Sequence, residues 1–120
     1  MEIESLLKYL LPEDLLEYFE LTQVKESGDN MLSMYLDEKN IVPPEHKDKQ
    51  LLSQGFDDPV TIQDFPLRKR GVYLVVRRRK WKDKLSGKIY SRTWDLTAQG
   101  TSYSKEFAAF LKELFGQVPH

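Results

Sequence analysis

Cysteine is absent from all 120 residues, which removes disulfides, thiol nucleophiles and thiolate metal sites in one step. Histidine is nearly absent too. His46 and the terminal His120 are the only two, too few for a histidine zinc site or a Ser-His-Asp arrangement. Neither a GxxxxGKS/T loop nor a GxGxxG is present, so phosphate-cradling nucleotide loops are missing. No run approaches the roughly 18 apolar residues of a membrane span, and no membrane partner is expected. The opening MEIESLLKYLLPEDLLEYFE is studded with acids. A secretory signal needs a basic start and an unbroken apolar run, so the cytoplasm is the expected location.

What is present is charge, and it is segregated. Arg68 to Thr93, RKRGVYLVVRRRKWKDKLSGKIYSRT, holds eleven of the eighteen basic residues and one acid, Asp83. That segment stands near +10, and the seven basic and eighteen acidic residues elsewhere stand near -11. A net charge of -1 conceals this division. A concentrated positive field has phosphate as its natural partner.

The length fits one domain, residues 1–120. Residues 1–21 read as helical: Ile3, Leu6, Leu7 and Leu10 fall at helical spacing, Pro12 marks a break or a new first turn, and Leu15, Leu16, Tyr18 and Phe19 form a stripe. Residues 22–36 alternate apolar and polar around Ser27-Gly28-Asp29-Asn30, which predicts a hairpin. Residues 37–59, with Pro43-Pro44 and a mixed polar run, read as loop-rich. Residues 60–97 read as a basic β-hairpin sheet, with the strand Val72 to Val76, a turn at Asp83 to Gly87, and a return from Lys88 to Trp94. Residues 104–116 form a helix that Ser104 can cap, with Phe107, Phe110, Leu111, Leu114 and Phe115 on one face. The fold class is α+β: an antiparallel sheet with a prominent basic hairpin, N-terminal helices and a C-terminal packing helix.

Alternation from Val72 puts Val72, Leu74, Val76, Arg78 and Lys80 on one strand face and Tyr73, Val75, Arg77, Arg79 and Trp81 on the other. Both faces are apolar first and basic afterwards, so the strand is expected to leave the sheet and enter solvent. A two-stranded ribbon fits the DNA major groove, and arginine meets phosphate or a guanine edge bidentately. The candidate nucleic-acid contacts are Arg68, Lys69, Arg70, Arg77, Arg78, Arg79, Lys80, Lys82, Lys84, Lys88 and Arg92. Trp81 and Tyr90 are candidates for stacking on bases or for packing, and Trp94 for the core.

Other readings of the same residues stay open. A basic strand can be a solvated edge, or pair with acids of its own fold, in a protein-interaction module. An RNA or single-strand binder requires exposed rings beside the arginines. Asp57, Asp58, Asp64 and Glu106 are carboxylates that nothing in the sequence brings together, so no catalytic residue, metal or cofactor is expected.

Four segments carry a resemblance: LLPEDLLEYFELTQV (Leu10 to Val24), VTIQDFPLRKRGVYLVVRRRKW (Val60 to Trp81), SGKIYSRTWDLTAQGT (Ser86 to Thr101) and SKEFAAFLKEL (Ser104 to Leu114). Their succession resembles the N-terminal region of a group of bacterial insertion-sequence transposases. In the wider class a comparable stretch is a zinc-ribbon-like hairpin flanked by paired cysteines. Asp64, Phe65, Pro66, Arg77, Arg78, Arg79 and Trp81 match that layout, but without cysteine the metal does not carry over. The resemblance implies a role in binding transposon-end DNA, with catalysis in a separate C-terminal domain. It leaves open whether the chain meets DNA directly or helps assemble the full transposase. The candidate protein partners are the catalytic transposase chain and a second copy.

Overall fold

The computed structural model describes residues 11–26, 31–67, 70–94 and 103–116. The chain order is α1 (Glu13–Tyr18), β1 (Phe19–Glu26), β2 (Leu32–Glu38), a 3-10 turn (Pro44–His46), β3 (Leu51–Phe56), β4 (Val60–Leu67), β5 (Arg70–Arg77), β6 (Arg79–Asp83), β7 (Ile89–Ser91) and α2 (Lys105–Gly116). The class is α+β, with strands ordered β1-β2-β5-β4 in one sheet and β3-β6-β7 in a second.

Pro12 stands at the start of α1, where its missing N–H is no loss, and the helix lasts only to Tyr18. Phe19 is already extended, and Phe19 and Leu21 are buried on either side of exposed Glu20. The expected helix over 1–21 is therefore corrected from Phe19 onward. Phe19 lies four residues after Leu15 on a helical count and opens a two-residue alternation, so both periods explain its burial and only packing decides. Residues 1–10 of that expectation lie outside the described residues.

The strands of the hairpin expected over 22–36 are the antiparallel pair β1–β2, extended at both ends. Its turn at residues 27–30 lies outside the described residues. β2 then pairs with β5 in parallel, with Met34 beside Leu74 and Leu36 beside Val76. A parallel pair needs a long crossover, and β3 and β4 supply it. Two rows of side chains cross this sheet: Val24–Met34–Leu74–Ile62 and Leu21–Leu36–Val76–Val60. They form one core with Leu15, Phe19, Trp94 and the α2 residues Phe107, Phe110, Leu111 and Leu114. Each of those four α2 side chains contributes about 2 kcal/mol by leaving water.

Ser104 caps α2 as the sequence suggests, its Oγ accepting from Phe107 N at 3.1 Å. Asp14 on α1 in turn accepts from Ser104 N at 2.7 Å and from Ser104 Oγ at 2.9 Å. The two helices are thus fastened at their N-terminal ends.

Residues 37–59, read as loop-rich, contain a strand. β3 has one glycine, Gly55, at φ 80°, where its pairing with β6 shifts register between Ser53 and Phe56. A bulge with glycine in the left-handed region explains why the propensity signal was weak. The chain from Leu51 to Leu67 bends once, and so does the chain from Arg70 to Asp83. The two bends meet where Asp57 N donates to Arg78 O at 2.8 Å.

Candidate nucleic-acid interface

The basic strand does not emerge into solvent as its alternation suggested. At Arg78 it leaves the first sheet and enters the second, and the bend shifts its side-chain phase by one residue. Val72, Leu74 and Val76 are buried on β5, but Trp81 and Asp83 are buried on β6. Lys82 is turned outward in their place. The return strand is short, pairing only Lys80 with Ser91, Trp81 with Tyr90 and Lys82 with Ile89. β3 backs β6 along its other edge, so the hairpin is the margin of a three-stranded sheet and not a free ribbon.

This placement divides the basic residues into two groups. Arg77 faces Asp37, its partner across the parallel pair, and grips both carboxylate oxygens. Arg79 donates through Nε to Glu38 O at 3.1 Å and through Nη1 to Ser53 Oγ. The Phe56 ring lies between them, 4.2 Å from the Arg77 guanidinium and 4.6 Å from that of Arg79. Arg78 donates to Arg92 O at 2.9 Å and covers the Phe115 ring. Arg92 is itself buried, its guanidinium 4.2 Å from the Trp94 ring and 4.7 Å from that of Tyr18. These four arginines tie the sheets and α2 together.

The lysines form the second group. Lys82, Lys84 and Lys88 are exposed and Lys80 is half-buried. Among the described residues none of the four has a carboxylate within ion-pair distance. They gather at the β6–β7 end of the second sheet. Asp83, in the same strand, is turned inward to accept from Ser86 Oγ at 2.8 Å and Leu85 N at 3.3 Å. Those bonds, the Ser86 hydroxyl first, hold its carboxyl below the usual carboxylate range. It stays ionised without reaching out to neutralise the lysines. Arg68 and Lys69 lie outside the described residues, as does the side chain of Arg70.

The aromatic candidates pack. Trp81 is 1% exposed and Trp94 is in the core, so neither tryptophan offers a face to a base. Tyr90 is half-buried, its ring 4.7 Å from His46 and covered by Lys49. A single-strand reader that stacks on Trp81 is thereby excluded.

Sequence reasoning missed Glu38, which lies 3% exposed beneath the arginines. Its Oε1 accepts from Arg79 N at 3.4 Å, and its Oε2 has no partner among the described residues. Burial pushes this carboxyl up to about 7, against the pull of the Arg79 amide and the charges of Arg78, Arg92 and Arg79. An apolar alternation in which an acid takes the next inward position, Met34–Leu36–Glu38, is the one signal that marked it.

Among the described residues no three His, Asp or Glu side chains come together to hold a metal ion, and no helix is long and apolar enough to cross a membrane. No family model, curated protein or solved structure matches this chain.

Proposed function

We propose that this chain is a DNA-binding N-terminal or accessory part of an insertion-sequence transposase, with no catalysis of its own. It meets the phosphate backbone through the lysine end of β6 and β7. The observation that carries this reading is the cluster of Lys80, Lys82, Lys84 and Lys88 without a carboxylate partner among the described residues. A lysine without a carboxylate partner can neutralise a phosphate without first giving up an ion pair, and the cations that DNA then releases drive binding. Exposed Glu13, Glu17, Glu20, Glu106 and Glu113 lie on α1, β1 and α2, where they repel phosphate and so orient the approach. The resemblance supplies the kind of DNA, transposon ends, and one companion, a separate catalytic part.

The test is a salt-titrated binding assay on duplex DNA. Replacing Lys82, Lys84 and Lys88 by alanine should reduce the slope of log K against log salt by about 2 to 3, with the fold intact. Absence of wild-type binding at low salt would remove the reading.

A protein-assembly module is the second reading, favoured by arginines that bond within the fold and by exposed Leu52, Leu85 and Ile89. It requires Leu52→Asp and Ile89→Asp to abolish an association that sedimentation velocity detects in the wild type.

A further inference from the structure

The tip between β6 and β7 is locked at nearly every position. Asp83 N donates to Lys88 O at 2.9 Å, Gly87 N to Asp83 O at 2.8 Å, and Lys88 N to Ser86 Oγ at 3.2 Å. Asp83 holds Leu85 N and the Ser86 hydroxyl, and Lys84 N donates to Gln50 O at 2.9 Å, bracing the turn on the chain before β3. Gly87, at φ 74°, takes the left-handed position that closes it. Asp83, Lys84, Ser86 and Gly87 each secure the turn.

Leu85 is the exception. Its amide is held, but its side chain is 79% exposed, the most exposed large apolar group among the described residues. It stands at the apex with Lys84 on one side and Lys88 shortly after it. Behind it, on the outward face of the sheet, Leu52, Lys82 and Ile89 form a cross-strand row, with the two aliphatics 52% and 51% exposed. Apolar side chains and cations without a carboxylate partner among the described residues therefore share one surface that ends in Leu85 on a braced turn. Such a surface matches a DNA groove, where phosphates flank apolar sugar edges and base steps. Architectural proteins of the minor groove insert leucine-like wedges between base steps and bend the duplex.

We propose that Leu85 is such a wedge: it enters a base step while Lys82, Lys84 and Lys88 hold the flanking phosphates, so that binding bends the DNA. This rests on the DNA-binding reading and adds a mechanical action to it. The braced turn means that little backbone freedom is lost on insertion.

The experiment is ligase-catalysed circularisation of a mixed-sequence duplex shorter than the persistence length of about 150 bp, which closes into rings only when bent. A parallel salt titration measures binding to the same duplex. The wild type should raise ring yield. Leu85→Ala and Leu85→Gln should lose that effect and bind about tenfold more weakly, with the salt slope unchanged because no cation is removed. Leu85→Met should retain it. Because the side chain is in water, these variants keep the fold. Wild-type binding without ring closure, or full ring closure by Leu85→Ala, would overturn the wedge and leave DNA binding standing. Failure of the wild type to bind any duplex at low salt would overturn both, and its retention on anionic vesicles instead would reassign the tip to a lipid surface.

Discussion

Arg77 and Asp37, forty residues apart, form a two-pronged ion pair across the parallel strands β5 and β2, Nε to Oδ1 at 2.7 Å and Nη2 to Oδ2 at 2.6 Å. The hydrogen bonds to Asp37 push the Arg77 guanidinium further up its already high range. A residue that looked like a phosphate contact thus fastens a crossover.

Replacing Arg77 by alanine should lower stability by about 1 kcal/mol, since the pair is bidentate but partly screened by water. The salt slope of DNA binding should move far less than it does with Lys82→Ala. Urea unfolding and the binding titration measure the two effects separately. A larger change in slope for Arg77→Ala would return this arginine to the interface.

Glu38 should make the fold sensitive to pH in an unusual direction. Its folded carboxyl titrates at about 7, against an ordinary value of 4.5. Between those values the folded state keeps a proton that the unfolded state has lost, so its contribution falls as pH rises through this window and levels off above it. Glu38→Gln should therefore be more stable than the wild type by about 2 kcal/mol at pH 8. That difference should vanish at pH 4. Urea midpoints at the two pH values decide it, and a Gln variant destabilised at pH 8 would refute the assignment.

The fastening of α1 to α2 should be separable from the cap of α2. Ser104→Ala removes both the bond to Phe107 N and the hydroxyl given to Asp14, and should cost about 1 to 2 kcal/mol. Asp14→Ala leaves the cap in place and should cost less, about 1 kcal/mol. Thermal unfolding of the two single variants and the double variant tests this. Strict additivity would mean that the two side chains act independently, contrary to their shared hydrogen bond.

Trp81 should behave as core. Trp81→Ala should destabilise by about 3 kcal/mol or more, whereas Trp81→Phe should leave duplex binding unchanged. Iodide should quench tryptophan fluorescence weakly, with or without DNA. Strong quenching that DNA suppresses would show an exposed ring engaged with bases.

Much of the frame was legible because it rests on local periodicity. The α2 stripe from Phe107 to Leu114, its Ser104 cap, the alternation of Val72, Leu74 and Val76, and the Asp83–Gly87 turn all follow from the preferences of neighbouring residues. β3 was hidden because its bulge at Gly55 and its exposed Leu52 spoil both propensity and alternation. The single residue inserted in phase at Arg78 was hidden for a related reason. It depends on the bend shared with Asp57, a contact between distant strands.

The sequence by itself determined that the chain is mixed α and β, that its charge is divided, and that cysteine chemistry plays no part. Only the tertiary structure decided which cations are spent and which have no carboxylate partner among the described residues. Arginines and lysines follow one another with equal claim along one stretch of chain, and nothing local tells them apart. The parallel crossover sets Asp37 against Arg77 and lays Glu38 beneath Arg79, while the bend at Arg78 turns Trp81 inward and Lys82 out. Side-chain direction in a strand has a period of two, so one bend made by distant contacts reassigns every residue after it.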